Sequence, residues 1–335
     1  MNAVAGKAPL ARITGSQATQ MALEEAMALD DRVILLGEDV ADREGGGIVR
    51  ASAGLSTRFG DRVRSTPISE QAIVGAAVGA AIAGLRPVAE VMMMNFITVA
   101  MDQLVNHAAK IRFMSGGKTA VPLTIRTMSG AGIGAGGQHS DMLEAWLAHV
   151  PGLKVVVPSN PADQKGLLLS CIFDDDPCVF IETTALMFTP GPAPEPGYRV
   201  PLGLASVVRE GRDVTLVGYG RPMGDAIAVA DALAKEGVSV EVIDLRTIVP
   251  WDRATVFASV RKTRRAVLVH EAVRSFGVGA ELAASIHEEL FGVLVAPVQR
   301  VASMDTPVPF SQPLEAAWLV GRGAIEAALR KTLSW

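Results

Sequence analysis

The sequence predicts an α/β protein made of two parallel-sheet domains joined by a proline-rich linker. Three observations carry this expectation. Apolar runs of four to six residues alternate with longer stretches of helical periodicity, the pattern of β–α units around a parallel sheet. The segment Thr189–Pro201 (TPGPAPEPGYRVP) holds five prolines in thirteen residues, which opposes regular structure and reads as an extended linker. The composition is 49% hydrophobic and 20% charged, with 33 glycines in 335 residues, a globular profile with length enough for two ordinary domains. The expected division is 1–188, a linker at 189–201, and 202–335.

In the first domain, strands are expected at Val33–Gly37, Arg86–Met92, Pro122–Arg126, Lys154–Val157 and Cys178–Glu182. The helices between them are Ser16–Leu29, Gln71–Gly84, Thr98–Met114, Asp141–Ala148 and Pro161–Ile172. After the linker the alternation restarts, with strands at Val214–Gly218, Ser239–Asp244 and Ala266–His270. Helices are expected there at Asp225–Glu236, Trp251–Lys262 and Gly279–Leu290.

Several function classes are disfavoured. The net charge is −4 and no basic run exceeds Arg261–Arg265, so there is no electrostatic footprint for nucleic acid. The longest apolar run, Ala72–Leu85, is fourteen residues, short for a bilayer span and better read as a buried core helix. Only Cys171 and Cys178 occur, without C-x-x-C spacing, which argues against a disulfide framework or zinc site and suits a reducing cytosol. Met1–Leu10 lacks the apolar core of a signal peptide. A cytoplasmic location away from membranes is the expectation.

Four groups could carry chemistry. In Thr66-Pro67-Ile68-Ser69-Glu70, a carboxylate opens a helix of Ala, Gly and Val, whose amino end is expected to be buried. The plain alternative is that Glu70 complements the helix dipole. Ser129–Ser140 (SGAGIGAGGQHS) contains Gly132-x-Gly134-x-x-Gly137 after a strand, a formal dinucleotide fingerprint. The next strand closes on Pro158-Ser159 rather than on an acid, so that fingerprint is incomplete. The stretch serves equally as a flexible loop presenting His139 to a ligand. Asp174-Asp175-Asp176 offers oxygen donors for a hard cation, or is simply a solvated turn before Pro177.

Together, LLGEDV (Leu35–Val40), TPISE (Thr66–Glu70), AGLRPVAEVM (Ala83–Met92), Asn95-Phe96 and DQLVNHAAKIRFMSGG (Asp102–Gly117) resemble the E1 β subunit of thiamine-diphosphate-dependent 2-oxo acid dehydrogenase complexes. GQHS (Gly137–Ser140), PGLKVVVPSNPADQKGLL (Pro151–Leu168), VEVIDLRTI (Val240–Ile248), VLVHEA (Val267–Ala272) and DTPVPF (Asp305–Phe310) extend the resemblance, in order, over nearly the whole chain.

The resemblance implies a pyrimidine-binding thiamine-enzyme domain followed by a transketolase C-terminal-type domain. Glu70 matches the glutamate that hydrogen-bonds N1′ of the cofactor's aminopyrimidine, favouring the imino tautomer needed for activation. Phe96 matches the aromatic packed on that ring, and His139 the histidine that moves protons during acyl transfer to lipoamide. Leu123, Cys171, Ile172, Asp174 and Asp176 match positions that ligate a structural potassium ion, mostly through carbonyl oxygens. Diphosphate and Mg²⁺ are held in such enzymes by Gly-Asp-Gly and a later Asn, yet no Gly-Asp-Gly occurs here. That half must come from an α subunit, in an α2β2 heterotetramer docking on a lipoyl-bearing E2 acyltransferase. TIRTMSGAGIGAG is similar to acetoin-cleaving relatives more than to branched-chain ones, with pyruvate close behind. Rival expectations are an acyloin-forming enzyme that does not use lipoamide, and an NAD-binding oxidoreductase using the glycine loop.

Overall fold

The computed structural model describes residues 12–335, so the reading of Met1–Leu10 lies outside the described residues. The first eight strands are β1 (Arg12–Ile13), β2 (Val33–Gly37), β3 (Val63–Ser65), β4 (Arg86–Met93), β5 (Thr124–Ser129), β6 (Lys154–Val156), β7 (Cys178–Thr183) and β8 (Gly191–Pro192). The remaining six are β9 (Ser206–Arg209), β10 (Val214–Gly218), β11 (Val240–Asp244), β12 (Thr247–Val249), β13 (Ala266–Val273) and β14 (Gln299–Ser303).

Two sheets result. The larger runs β12-β6-β7-β5-β4-β2-β3, parallel except for β12. The smaller runs β14-β13-β10-β11-β9, parallel except for β9. The central strands were legible because parallel strands are apolar on both faces; β2 and β10 fall where expected. The expected strand at Pro122 begins instead at Thr124, and the expected Thr98–Met114 helix is broken. A 3₁₀ segment spans Met94–Ala100, a π segment Gln103–Ala108, and only Ala109–Met114 is a separate α-helix. The linker was expected to lack regular structure, yet Gly191–Pro192 pairs with Arg12–Ile13.

Local chemistry sets the helix ends. Thr14 and Gln17 form a capping box at Gly15–Leu29, and Asn160 caps Pro161–Ile172 through the Asp163 amide at 2.9 Å with Pro161 in the first turn. These two helices cover one face of the larger sheet, packing Leu23, Met27, Leu168 and Leu169 against Val33, Leu35 and Phe180. On the other face a single apolar cluster runs from Ile73, Val78 and Leu104 through Leu147 and Val155 to Ile243, Leu268 and Ile286. The two sheets therefore share a core. No described helix is long and apolar enough to cross a membrane.

One bond across that core titrates. Buried Glu144 accepts from Tyr219 Oη at 2.7 Å, and burial pushes its carboxyl up to about 7. Its folded pKa lies above the unfolded one, so the folded state keeps a proton that the unfolded state releases, and stability falls as pH rises from about 4.5 to about 7. Glu144→Gln keeps the acceptor oxygen and removes the titration. We expect its stability, followed by urea denaturation, to lose up to one proton of dependence, about 1.4 kcal/mol per pH unit, in that window. An unchanged slope would show that Glu144 does not titrate there.

Candidate active site

The loops leaving β3, β4 and β5 bring Glu70, Phe96 and His139 to the carboxyl end of the larger parallel sheet. In open α/β sheets, ligands bind at that end. Glu70 opens the helix Glu70–Ile82, and the helix packs against Met94–Ala100, which carries Phe96. Its amino end is more open than the sequence suggested: Glu70 is half-buried and Ile68 is 82% exposed. Ile73, Val74, Ala77 and Val78 pack inward, whereas the small outward residues Ala72, Ala76 and Gly79 are exposed among the described residues. Among the described residues the Glu70 carboxylate has no hydrogen-bond partner. The first-turn charge suits the helix dipole, and the carboxylate remains free to accept a donor.

Phe96 and His139 meet edge to face, ring centroids 5.3 Å apart at 79°. Phe96 lies on a methionine bed of Met93, Met128 and Met187, with Met92 and Val49 beside it. The glycine loop is closed at its base by Ser129 Oγ donating to the Asp141 carbonyl at 2.6 Å. Asn95, next to Phe96, donates to the Gly137 carbonyl at 3.2 Å and to Asp141 Oδ2 at 2.8 Å. The rim thus ties the two loops together at the pair of aromatic rings. A dinucleotide reading of this loop fails on geometry. No helix begins until Glu144, and the amides of Gly132 and Gly134 are turned to the Glu315 carboxylate rather than offered to a phosphate.

Two carboxylates beside the rim carried no assignment in the sequence. Glu38 directly follows β2, and burial raises its pKa, with the neighbouring charges of Glu70, Asp39 and Glu90 adding to the effect. Glu90 sits within β4, 4% exposed. Burial raises its pKa against the opposing pull of Arg126. The available signal was an acid inside the apolar run Pro87-Val88-Ala89-Glu90-Val91.

Residues 11–188 match the family model described as transketolase, pyrimidine binding domain, and 203–325 match transketolase, C-terminal domain. The chain is 44% identical over 320 residues to the acetoin:2,6-dichlorophenolindophenol oxidoreductase subunit beta of Cupriavidus necator, covering 93% of this chain and 95% of that protein. It is 43% identical to the pyruvate dehydrogenase E1 component subunit beta of Staphylococcus epidermidis, covering 97% and 100%. This chain belongs to the E1 β-subunit family of thiamine-diphosphate-dependent oxidoreductases. A split-gene transketolase, an inactive beta4 tetramer, superimposes on the β subunit with TM-score 0.76 at 22% identity, over 96% and 98% of the two chains. That likeness concerns the fold alone.

The rim of this β subunit fits the pyrimidine half of thiamine diphosphate: a carboxylate unpartnered among the described residues, an aromatic ring and an imidazole, with no Gly-Asp-Gly for the diphosphate. The five residues matched to a potassium site gather at the opposite, amino end of the sheet. Leu123 precedes β5, and its carbonyl accepts from the Cys178 amide at 2.8 Å, beside the turn after Ile172. The Asp174 carboxylate binds Lys154 at 2.7 Å and Asp176 binds Arg112 at 2.5 Å, while Arg86 donates to the carbonyls of Ile172 and Asp174 at 3.3 and 2.9 Å. Among the described residues, no group of three or more His, Cys, Asp or Glu could hold a metal. A cation in this loop would have to share carbonyl oxygens that the Cys178 amide and the Arg86 guanidinium already engage. Cys171 and Cys178 are both free and buried.

Proposed function

We propose that this β subunit, paired with an α subunit in an α2β2 heterotetramer, cleaves or decarboxylates a small 2-oxo acid or acyloin of pyruvate or acetoin type. The acyl group then passes to lipoamide on an E2 acyltransferase. The observation that supports this most is the meeting of Phe96 and His139 on the rim that also carries the unpartnered Glu70. When bound there, thiamine diphosphate supplies the carbon that adds to the substrate carbonyl and the ring that takes up the released electron pair.

The chain's own residues have three tasks. Glu70 accepts a hydrogen bond from N1′ and stabilises positive charge there. Phe96, backed by methionines, fixes the ring's plane. His139 holds or delivers a proton as the acyl group leaves. We assign the diphosphate and its Mg²⁺ to the α subunit. A structural potassium ion is assigned to the carbonyls of Leu123, Cys171, Ile172 and Asp174, with Asp176 alongside. We also take 189–201 as the boundary between the pyrimidine-binding and C-terminal domains, and, from the unpaired cysteines, the cytoplasm as the compartment.

The test uses the α–β assembly with a lipoyl domain in one assay and 2,6-dichlorophenolindophenol as artificial acceptor in the other. His139→Ala is expected to lose on the order of 10² in lipoyl acylation, the size of one general acid–base contribution, and clearly less with the dye. Equal losses would remove the acyl-transfer role. Substrate cleavage without any lipoyl acylation by the unaltered assembly would remove lipoamide as the acceptor.

A further inference from the structure

The loop that carries His139 is held mainly from outside its own domain. Glu315, in the helix Gln312–Trp318 and 3% exposed, accepts from the Gly132 amide at 2.8 Å and the Gly134 amide at 3.0 Å. Glu271, in β13 and 1% exposed, accepts from the Ala131 amide at 2.7 Å. Its other oxygen is braced by Arg221 Nε at 2.8 Å, and Arg221 in turn donates to the Val320 carbonyl at 2.8 Å. Trp318 packs with Ala131 and Val308, and its indole donates to the Thr306 carbonyl at 3.0 Å. Further along, Gly136 has φ +71° and lies so close to Phe310 that a Cβ would fall 2.3 Å from the ring.

A loop this rich in glycine loses much conformational freedom on ordering. Two carboxylates have been withdrawn from water, which is costly unless their charge is met by strong donors. The donors are three loop amides, those of Ala131, Gly132 and Gly134, and one guanidinium, so what the buried charge orders is the loop. Its far end is fixed separately by Asn95 next to Phe96.

We propose that Glu315 and Glu271 are positioning residues: the C-terminal domain clamps the backbone of Ser129–Ser140 and so holds His139 against Phe96. This rests on the role assigned to His139, but the clamp itself can be measured independently of it. The mechanism needs no contact between either glutamate and the substrate.

The experiment is amide hydrogen exchange on the full chain assembled with its α subunit, run beside both acceptor assays. In Glu315→Ala, amides 131–136 should exchange at least tenfold faster, and lipoyl acylation should fall at least fivefold more than dye reduction. Glu315→Gln keeps one acceptor oxygen and should give intermediate exchange and recover most of the lipoyl reaction. It also serves as the test variant, with at least threefold faster exchange, if the alanine chain does not fold. Unchanged exchange in the variants overturns the clamp. Faster exchange with equal losses in both assays overturns the link to His139, provided that His139→Ala itself shows the unequal losses. If His139→Ala shows equal losses, the histidine's role has failed, and exchange alone decides the clamp.

Discussion

Glu70→Gln is expected to lower turnover on the order of 10²–10³-fold, the size of effect seen when one preorganised electrostatic contact is lost, while folding and α–β assembly persist. The glutamine can still hydrogen-bond, but a neutral amide cannot stabilise positive charge on N1′, so the loss falls on the chemical step. The fold should be nearly indifferent because the carboxylate is half-buried and has no hydrogen-bond partner among the described residues. Removing its favourable interaction with the helix dipole costs about 0.3–1 kcal/mol. The measurements are kcat at saturating thiamine diphosphate and thermal unfolding of the assembly. Near-normal kcat would show that Glu70 does not touch the cofactor; collapse of the fold would show that its role is structural.

Arg126→Met is expected to give the largest loss of stability in the chain. Arg126 lies in β5 between Glu90 of β4 and Glu182 of β7, and the three side chains are 1%, 4% and 0% exposed. Its guanidinium donates to both carboxylates, with Nε 2.9 Å from Glu182. Burial alone would lower the arginine's pKa, but the two carboxylates outweigh that and hold it above its usual value. Glu182 is further bound by Thr19 and by Gln164 at 3.3 Å. Removing the cation leaves two like charges facing each other without water, a change of about 3–5 kcal/mol for breaking a buried pair. Urea midpoints of the single variant and of Glu90→Gln/Arg126→Met/Glu182→Gln should differ, the triple recovering most of the loss because no charge remains uncompensated. A single variant with the parental midpoint would mean that the network contributes nothing to stability.

What the sequence revealed of the fold follows from how local each signal is. Pro161–Ile172 was found at both ends because its cap, its first-turn proline and its apolar run are contiguous. β3 and β12, three residues each, were not found, since their pairing partners Leu35–Gly37 and Val155–Val156 are far away in sequence. Thr98–Met114 has helical periodicity throughout, and nothing in that pattern marks the change from 3₁₀ to π to α winding. The short helix Gln312–Trp318 and the helix Arg322–Leu333 were likewise passed over after the last expected helix. Within the site, Glu70, Phe96 and His139 stood in motifs that could be matched as written. Glu315 could not be found in that way. Its partners Gly132 and Gly134 are more than 180 residues away, and a lone glutamate in Gln312-Pro313-Leu314-Glu315 looks like any first-turn acid.

The antiparallel strand β12 gives the linker a different meaning. Past the proline-rich segment 189–201, the chain sends Thr247–Val249 back to finish the edge of the first sheet beside β6. It returns once more to build the helix Arg253–Thr263 and β13. Any swing of one half against the other would have to unzip that edge and split the shared apolar core. The proline-rich segment is therefore a strap along a rigid body, not a hinge, and the C-terminal half serves as a fixed chassis for the loops of the rim.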